Sequence, residues 1–161
     1  MSDKSTSLLK QEVFTYENTL GKELKSVLYY PVNYDSTKKY PMIVHIYQIQ
    51  SHTSNRYQIP KIDDPLGFNI RLLQQKGYFV LLPDIVHDSR GTGWSALDSV
   101  HSGLDFLGKF KGIDKNRIGL TGHSHEGYKT NFIATHSNRF AAYISSAGHS
   151  DIVRAYFSYS Y

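Results

Sequence analysis

Alternating and continuous runs of apolar residues set out the order of elements along this chain. Gln11 to Tyr16 and Glu23 to Tyr30 are β-rich, and the turn-prone Glu17 to Gly21 between them predicts a hairpin. Pro41 to Tyr47 is almost continuously apolar and β-branched, the pattern of a central parallel strand buried on both faces. From Gln48 to Pro65 the chain turns polar and is broken by Pro60 and Pro65, which predicts a long loop. Asn69 to Lys76 carries Ile70, Leu72 and Leu73 and is followed by Gly77, the pattern of a short helix stopped by glycine. Tyr78 to Leu82 is a second apolar strand, ended by Pro83-Asp84. Ser89 to Gly93 reads as a flexible loop.

Between Ala96 and Phe110, Leu97, Val100, Leu104 and Leu107 recur at three- and four-residue steps, which predicts a helix with one buried face. Gly112 to Asn116 then reads as a turn, Arg117 to Thr121 as a short strand, Tyr128 to His136 as a helix and Phe140 to Ala147 as a further strand. Strands and helices in that alternation make right-handed crossovers, hence a mostly parallel sheet covered on both faces. The fold class expected is α/β, a three-layer sandwich whose N-terminal antiparallel hairpin leads into the parallel part. No internal repeat or linker divides residues 1–161, so one domain follows a polar leader over residues 1–10.

Composition narrows the function classes. A chain of 161 residues with 40% hydrophobic and 14% aromatic content has the apolar area to offset chain entropy, so it is expected to fold. The net charge of +4 comes from basic residues scattered singly, with Lys38-Lys39 as a pair, so a nucleic-acid partner is not expected. The absence of cysteine excludes disulfides and thiolate metal sites. No apolar run approaches the roughly 20 residues that span a bilayer, and the polar start lacks a signal-peptide core. As written the chain reads as cytoplasmic, without a membrane; a removed leader would place it in the periplasm or outside the cell.

The chemistry sits at Gly122-His123-Ser124-His125-Glu126-Gly127, between a predicted strand and a predicted helix. A serine there stands on a strained strand-to-helix turn, its hydroxyl lifted above the sheet edge and the helix N-terminus aimed at a developing oxyanion. The usual spacing is Gly-x-Ser-x-Gly, whereas here Glu126 holds the fifth position and the glycine comes one residue later. A side chain there is expected to crowd its neighbours. His123, His125 and Glu126 together are a weak candidate metal set, because a sharp turn points its residues apart; no metal or cofactor is expected. His149, with Asp151 close by, lies past the last strand and reads as a solvated loop residue before a makeshift base, while His45 reads as a hydrogen-bonded core residue.

These features resemble the catalytic domain of the prolyl oligopeptidase and dipeptidyl peptidase family of serine peptidases, which has an α/β-hydrolase fold. The resemblance rests on Gly127-Tyr128 opening the helix behind the serine, on Asn138 to Ala147, on Ile113 to Gly119 and on Lys39 to Val44. It covers about Val13 to Tyr156. It implies Ser124 as the acylated nucleophile, the His125 backbone N–H as one oxyanion donor and Tyr47 as the second, with a peptide or small ester as substrate. A buried packing tyrosine is the other reading of Tyr47. In the family, serine is followed in sequence by the acid and then the histidine. After Ser124 this chain has room for one helix and one strand, so it is expected to be the N-terminal part of such a domain, without that acid and histidine and nearly inactive alone. A non-catalytic alternative is a binding or assembly module: the sheet edge left bare by the last strand would recruit a second copy as a homodimer.

Overall fold

The computed structural model describes residues 9–56, 58–62 and 68–158. The hairpin forms as expected, β1 over Gln11–Glu17 and β2 over Glu23–Tyr29. It is followed by β3 (Tyr40–Ile46), α1 (Ile70–Gln75), β4 (Phe79–Pro83), α2 (Thr92–Phe106), β5 (Ile113–His123), α3 (His125–His136), β6 (Ala142–Ser146) and α4 (Ile152–Ser158). The six strands make one sheet in the order β1-β2-β4-β3-β5-β6. β1 and β2 run antiparallel, as do β2 and β4, and the pairs β3/β4, β3/β5 and β5/β6 are parallel.

Alternation along each strand sorts side chains onto two faces. Leu28, Met42, Val44, Ile46, Phe79, Leu81, Ile118 and Leu120 point to one face and bury against Ala96, Val100 and Leu104 of α2 and Ile133 of α3. The residues between them, Val27, Tyr29, Val80 and Leu82, point to the other, where Ile70 of α1 and the flanking Phe68 and Leu73 cover them. β3 is therefore less enclosed than its sequence suggests. Met42, Val44 and Ile46 are buried, but Ile43 and His45 on the opposite face are only half-buried.

Three other boundaries differ from the sequence reading. The helix expected from Ala96 starts at Thr92, so the end of the supposed flexible loop is its first turn. Arg90, just before it, is pinned by Asp88 at 2.8 Å and Asp98 at 2.7 Å. The expected turn at Gly112 to Asn116 lies inside β5. Tyr40 and Met42 of β3, two residues apart, pair with Ile113 and Ile118, so residues 114–117 are looped out of the ladder. Within that insert Asp114 accepts from the Asn116 N–H and the Arg117 guanidinium, the local bonding of a turn. Finally, α4 follows β6, its first turn capped by the Asp151 carboxylate, which accepts from the N–H groups of Val153 and Arg154.

Candidate active site

Parallel strands end on a common edge, and in an open α/β sheet that carboxyl edge is where ligands bind. Ile46, the last residue of β3, is in register with Gly122 of β5, and His123 with Ser146 of β6. Tyr47, Ser124 and the chain leaving β6 therefore start from one edge. Between β5 and α3 the chain reverses through one residue, Ser124, with φ 59° and ψ −123°. That is the left-handed side of conformational space, which a serine occupies at a cost of order 1–3 kcal/mol unless its surroundings hold it.

The surroundings do hold it. The Ser124 N–H donates to Ser146 O at 2.8 Å, and Ser124 O accepts from the N–H of Gly127 at 2.9 Å, the first turn of α3. The bend also needs absent side chains. A methyl group on Gly122 would strike the Glu126 carbonyl and lie 2.7 Å from the Thr130 hydroxyl. One on Gly127 would lie 2.6 Å from the α-carbon of Gly148, so the start of α3 and the end of β6 touch backbone to backbone. The Ser124 side chain is exposed, and no described residue hydrogen-bonds its hydroxyl.

Glu126 does not crowd the bend. Its side chain is buried and pairs at 3.0 Å with Lys129, which is 0% exposed, one helical turn on. The position that cannot take a side chain is Gly127. The carboxylate also lies in the first turn of α3, where the helix dipole favours negative charge. The ion pair thus fills the space that glycine would leave.

His125, the first residue of α3, is half-buried with its Nε2 3.1 Å from the Thr92 hydroxyl. Burial lowers its pKa, and the Lys129 ammonium lowers it further against the opposing pull of Glu126. His123 instead turns toward β6, its Nδ1 3.1 Å from the Ser146 hydroxyl. His123, His125 and Glu126 thus face separate partners, and among the described residues no group of three acidic or histidine side chains converges on a metal position.

Tyr47 follows β3 directly and is 49% exposed, so it is not the buried packing residue of the alternative reading. The loop behind it is held by Asp84, at the end of β4. Its carboxylate accepts from the N–H groups of Gln50 and Ser51 at 2.7 and 2.8 Å and from the Ser51 hydroxyl at 2.6 Å. Ile85 N–H donates to Gln48 O, tying the same two loops again. His45 contacts Gln50 at 3.3 Å and stacks on Phe68 with centroids 4.1 Å apart. His149 is exposed, and Asp151 beside it caps α4.

The Asp84 brace and the Glu126–Lys129 pair went unread in the sequence. The pair had a signal, since opposite charges three residues apart on a predicted helix are neighbours. Asp84 had none: its partners lie 33 and 34 positions away.

Comparison with known proteins agrees with this architecture. Human dipeptidyl peptidase 8 is 31% identical over 136 residues, a match covering 73% of this chain and 14% of that protein. Dipeptidyl-peptidase 5 of Porphyromonas gingivalis is 28% identical over 145 residues, covering 82% of this chain and 20% of that protein. The chain therefore spans a fifth or less of the length of these curated relatives. Among solved structures, the acylaminoacyl peptidase of Pyrococcus horikoshii superposes with a TM-score of 0.72 over 96% of this chain and 25% of its own, at 22% identity. Dipeptidyl peptidase 4 of Porphyromonas gingivalis does so with a TM-score of 0.70 over 89% of this chain and 21% of its own, also at 22% identity. These likenesses give the fold as that of the α/β-hydrolase-type peptidase domains. The profile of the prolyl oligopeptidase family matches residues 66–160, more than half of the sequence. The chain belongs to the prolyl oligopeptidase family of serine peptidases.

Proposed function

We propose that Ser124 is the nucleophile of a hydrolase that cleaves peptide bonds or small esters through an acyl-enzyme. The observation that carries this reading is the positive φ of Ser124 at the β5–α3 junction, with an exposed and unpartnered hydroxyl on the carboxyl edge of the sheet. Ser124 Oγ attacks the carbonyl carbon, a base takes its proton, and the carbonyl oxygen becomes an oxyanion. The His125 N–H, at the positive end of α3, donates to that oxyanion, and the Tyr47 hydroxyl is the second donor. Collapse expels the amine or alcohol and leaves the acyl group on Ser124, which water then removes. Release of dipeptides, as the names of the dipeptidyl peptidase relatives suggest, is one form this reaction takes.

A serine without a base is a poor nucleophile, and loss of a triad removes several orders of magnitude in rate. No described imidazole touches the Ser124 hydroxyl, so this chain alone is proposed to react only slowly. Incubation with a fluorophosphonate probe should give slow labelling that maps to the peptide containing Ser124 and disappears in Ser124→Ala. Labelling mapped elsewhere would overturn the choice of nucleophile; rapid stoichiometric labelling would overturn the dependence on an outside base. Tyr47→Phe should slow whatever acylation is measured by about 10²–10³-fold, the effect of losing one oxyanion donor.

A second reading, assembly through β6, is favoured by the character of that strand. Ala142 to Ser146 carries no charge, its other edge has no partner among the described residues, and Ile144 is 64% exposed. Two copies would pair edge to edge as a homodimer. Light scattering that finds only monomer up to high concentration would dispose of it.

A further inference from the structure

The Thr92 hydroxyl lies between two imidazoles. His125 Nε2 is 3.1 Å from it on one side and His87 Nε2 3.2 Å on the other. The rings meet edge to face with centroids 6.4 Å apart. Three separate parts of the fold converge here: His87 from the segment after β4, Thr92 from the first turn of α2, and His125 from the first turn of α3 beside Ser124. Nothing in the proposed acylation uses His87, Thr92 or the His125 ring.

We propose that His87, Thr92 and His125 form a hydrogen-bonded latch that fixes the His125 ring beside the nucleophile while both imidazoles are neutral, and that releases it when they take up protons. A threonine hydroxyl has one proton. It donates to one unprotonated ring nitrogen and accepts from the N–H of the other ring, so the closed latch demands that His87 and His125 adopt opposite tautomers. Protonating both rings removes the nitrogen that accepts from Thr92 and sets two imidazolium ions against one hydroxyl.

The charges around the latch oppose that protonation. Burial lowers the affinity of His87 for a proton, and Lys129 and His125 lower it further, against Glu126 and Asp88, which raise it. His125 is lowered by burial, then by Lys129 and by His149 from the loop after β6, with Glu126 opposing. Each counter-charge is already engaged: Glu126 with Lys129, and Asp88 with Arg90. Because burial and the neighbouring cations disfavour protonation of both rings in the folded chain, the neutral pair that the latch needs is fully present above the ordinary imidazole range near pH 6.5. The latch weakens as pH falls from there toward the depressed values. Asp88 stays paired with Arg90, and Arg90 with Asp98, so the loop that carries His87 stays anchored while both rings are released from Thr92.

The test is an NMR titration of the histidine side chains in the whole chain, a readout that needs no turnover and so stands or falls apart from the choice of Ser124 as nucleophile. At pH 8 the ¹⁵N shifts of His87 and His125 should report opposite Nδ1–H and Nε2–H tautomers, and both rings should titrate below the ordinary value. Thr92→Val should raise at least one midpoint by about half a pH unit or more and mix the tautomers; Thr92→Ser, which keeps a hydroxyl, should restore the wild-type curves. His101, whose Nε2 is 2.8 Å from the Ser137 hydroxyl at the far end of α3, should not move and so reports that the variant is folded. Identical tautomers in the wild-type chain, or superimposable curves for the wild type and Thr92→Val, would overturn the latch.

Discussion

The two faces of the sheet are built from the same strands but are finished differently. On one, α2 and α3 close over Val44, Leu81 and Leu120, all at 1% exposure or less. On the other, α1 covers only the β2 and β4 side. Beyond it a groove of about 290 Å³, lined by Ile43, Thr121, Ala142, Ile144 and Leu73 among others, runs across β3, β5 and β6. The bend at Ser124 joins β5 to a helix of the closed face. Tight packing and the proposed chemistry meet where the layers are complete, while the other half of the sheet lies open among the described residues.

That contrast gives an ordered set of expectations. The largest effect should come from Glu126→Ala, which strands the Lys129 charge inside the closed face; about 3–5 kcal/mol is the usual cost of breaking a buried pair. Denaturant unfolding should show it as a lowered midpoint. Replacing both partners with apolar residues of similar volume should recover most of the loss, and no recovery would mean that the pair does more than neutralise itself. Ile133→Ala, in the same layer, should cost about 2–5 kcal/mol, by the transfer of the side chain and the cavity left behind.

Acid should act next, and again on the closed side. His101, on α2, is half-buried against the end of α3, and burial lowers its pKa, with Arg139 adding to the effect. Its contribution to stability is therefore complete above about pH 6.5, the unfolded value, and is lost as pH falls toward the folded one. His101→Gln should flatten the pH dependence of the unfolding midpoint in that window. Ile144→Ser on the open face should change stability least, within about 0.5 kcal/mol, while lowering any self-association seen by light scattering. A cost for Ile144→Ser as large as that for Ile133→Ala would erase the distinction between the faces.

What could be read from the sequence was what repeats locally. The hairpin and β4 followed from short β-rich or continuously apolar runs bounded by turn residues, and the stripe Leu97, Val100, Leu104 and Leu107 from three- and four-residue spacing; all are buried or paired as those patterns require. The errors fell where polar residues sit inside regular elements. Thr92 and Gly93 begin a helix although Arg-Gly-Thr-Gly has the composition of a loop, and Asp114 to Arg117 interrupt a strand without ending it. The aromatic Tyr156-Phe157 stretch gave no sign of α4, because Ile152, Val153, Ala155, Tyr156 and Phe157 spread apolar side chains around most of a two-turn helix and leave no contrast between faces to detect. In the candidate site the serine and its bend were legible because they are contiguous. The links from Thr92 to His125 and from Asp84 to Ser51 span more than thirty residues and arise only when the strands are set side by side.

The glycine-on-glycine contact between α3 and the end of β6 has a consequence for how such a site can diversify. With the Ser124 amide tethered to Ser146 and no gap left at Gly148, the segment that walls one side of the proposed reaction centre shares its footing with the pivot of the proposed nucleophile. Remodelling that wall for a new ligand must spare Gly148, because a side chain there would press on Gly127 and tilt the serine itself.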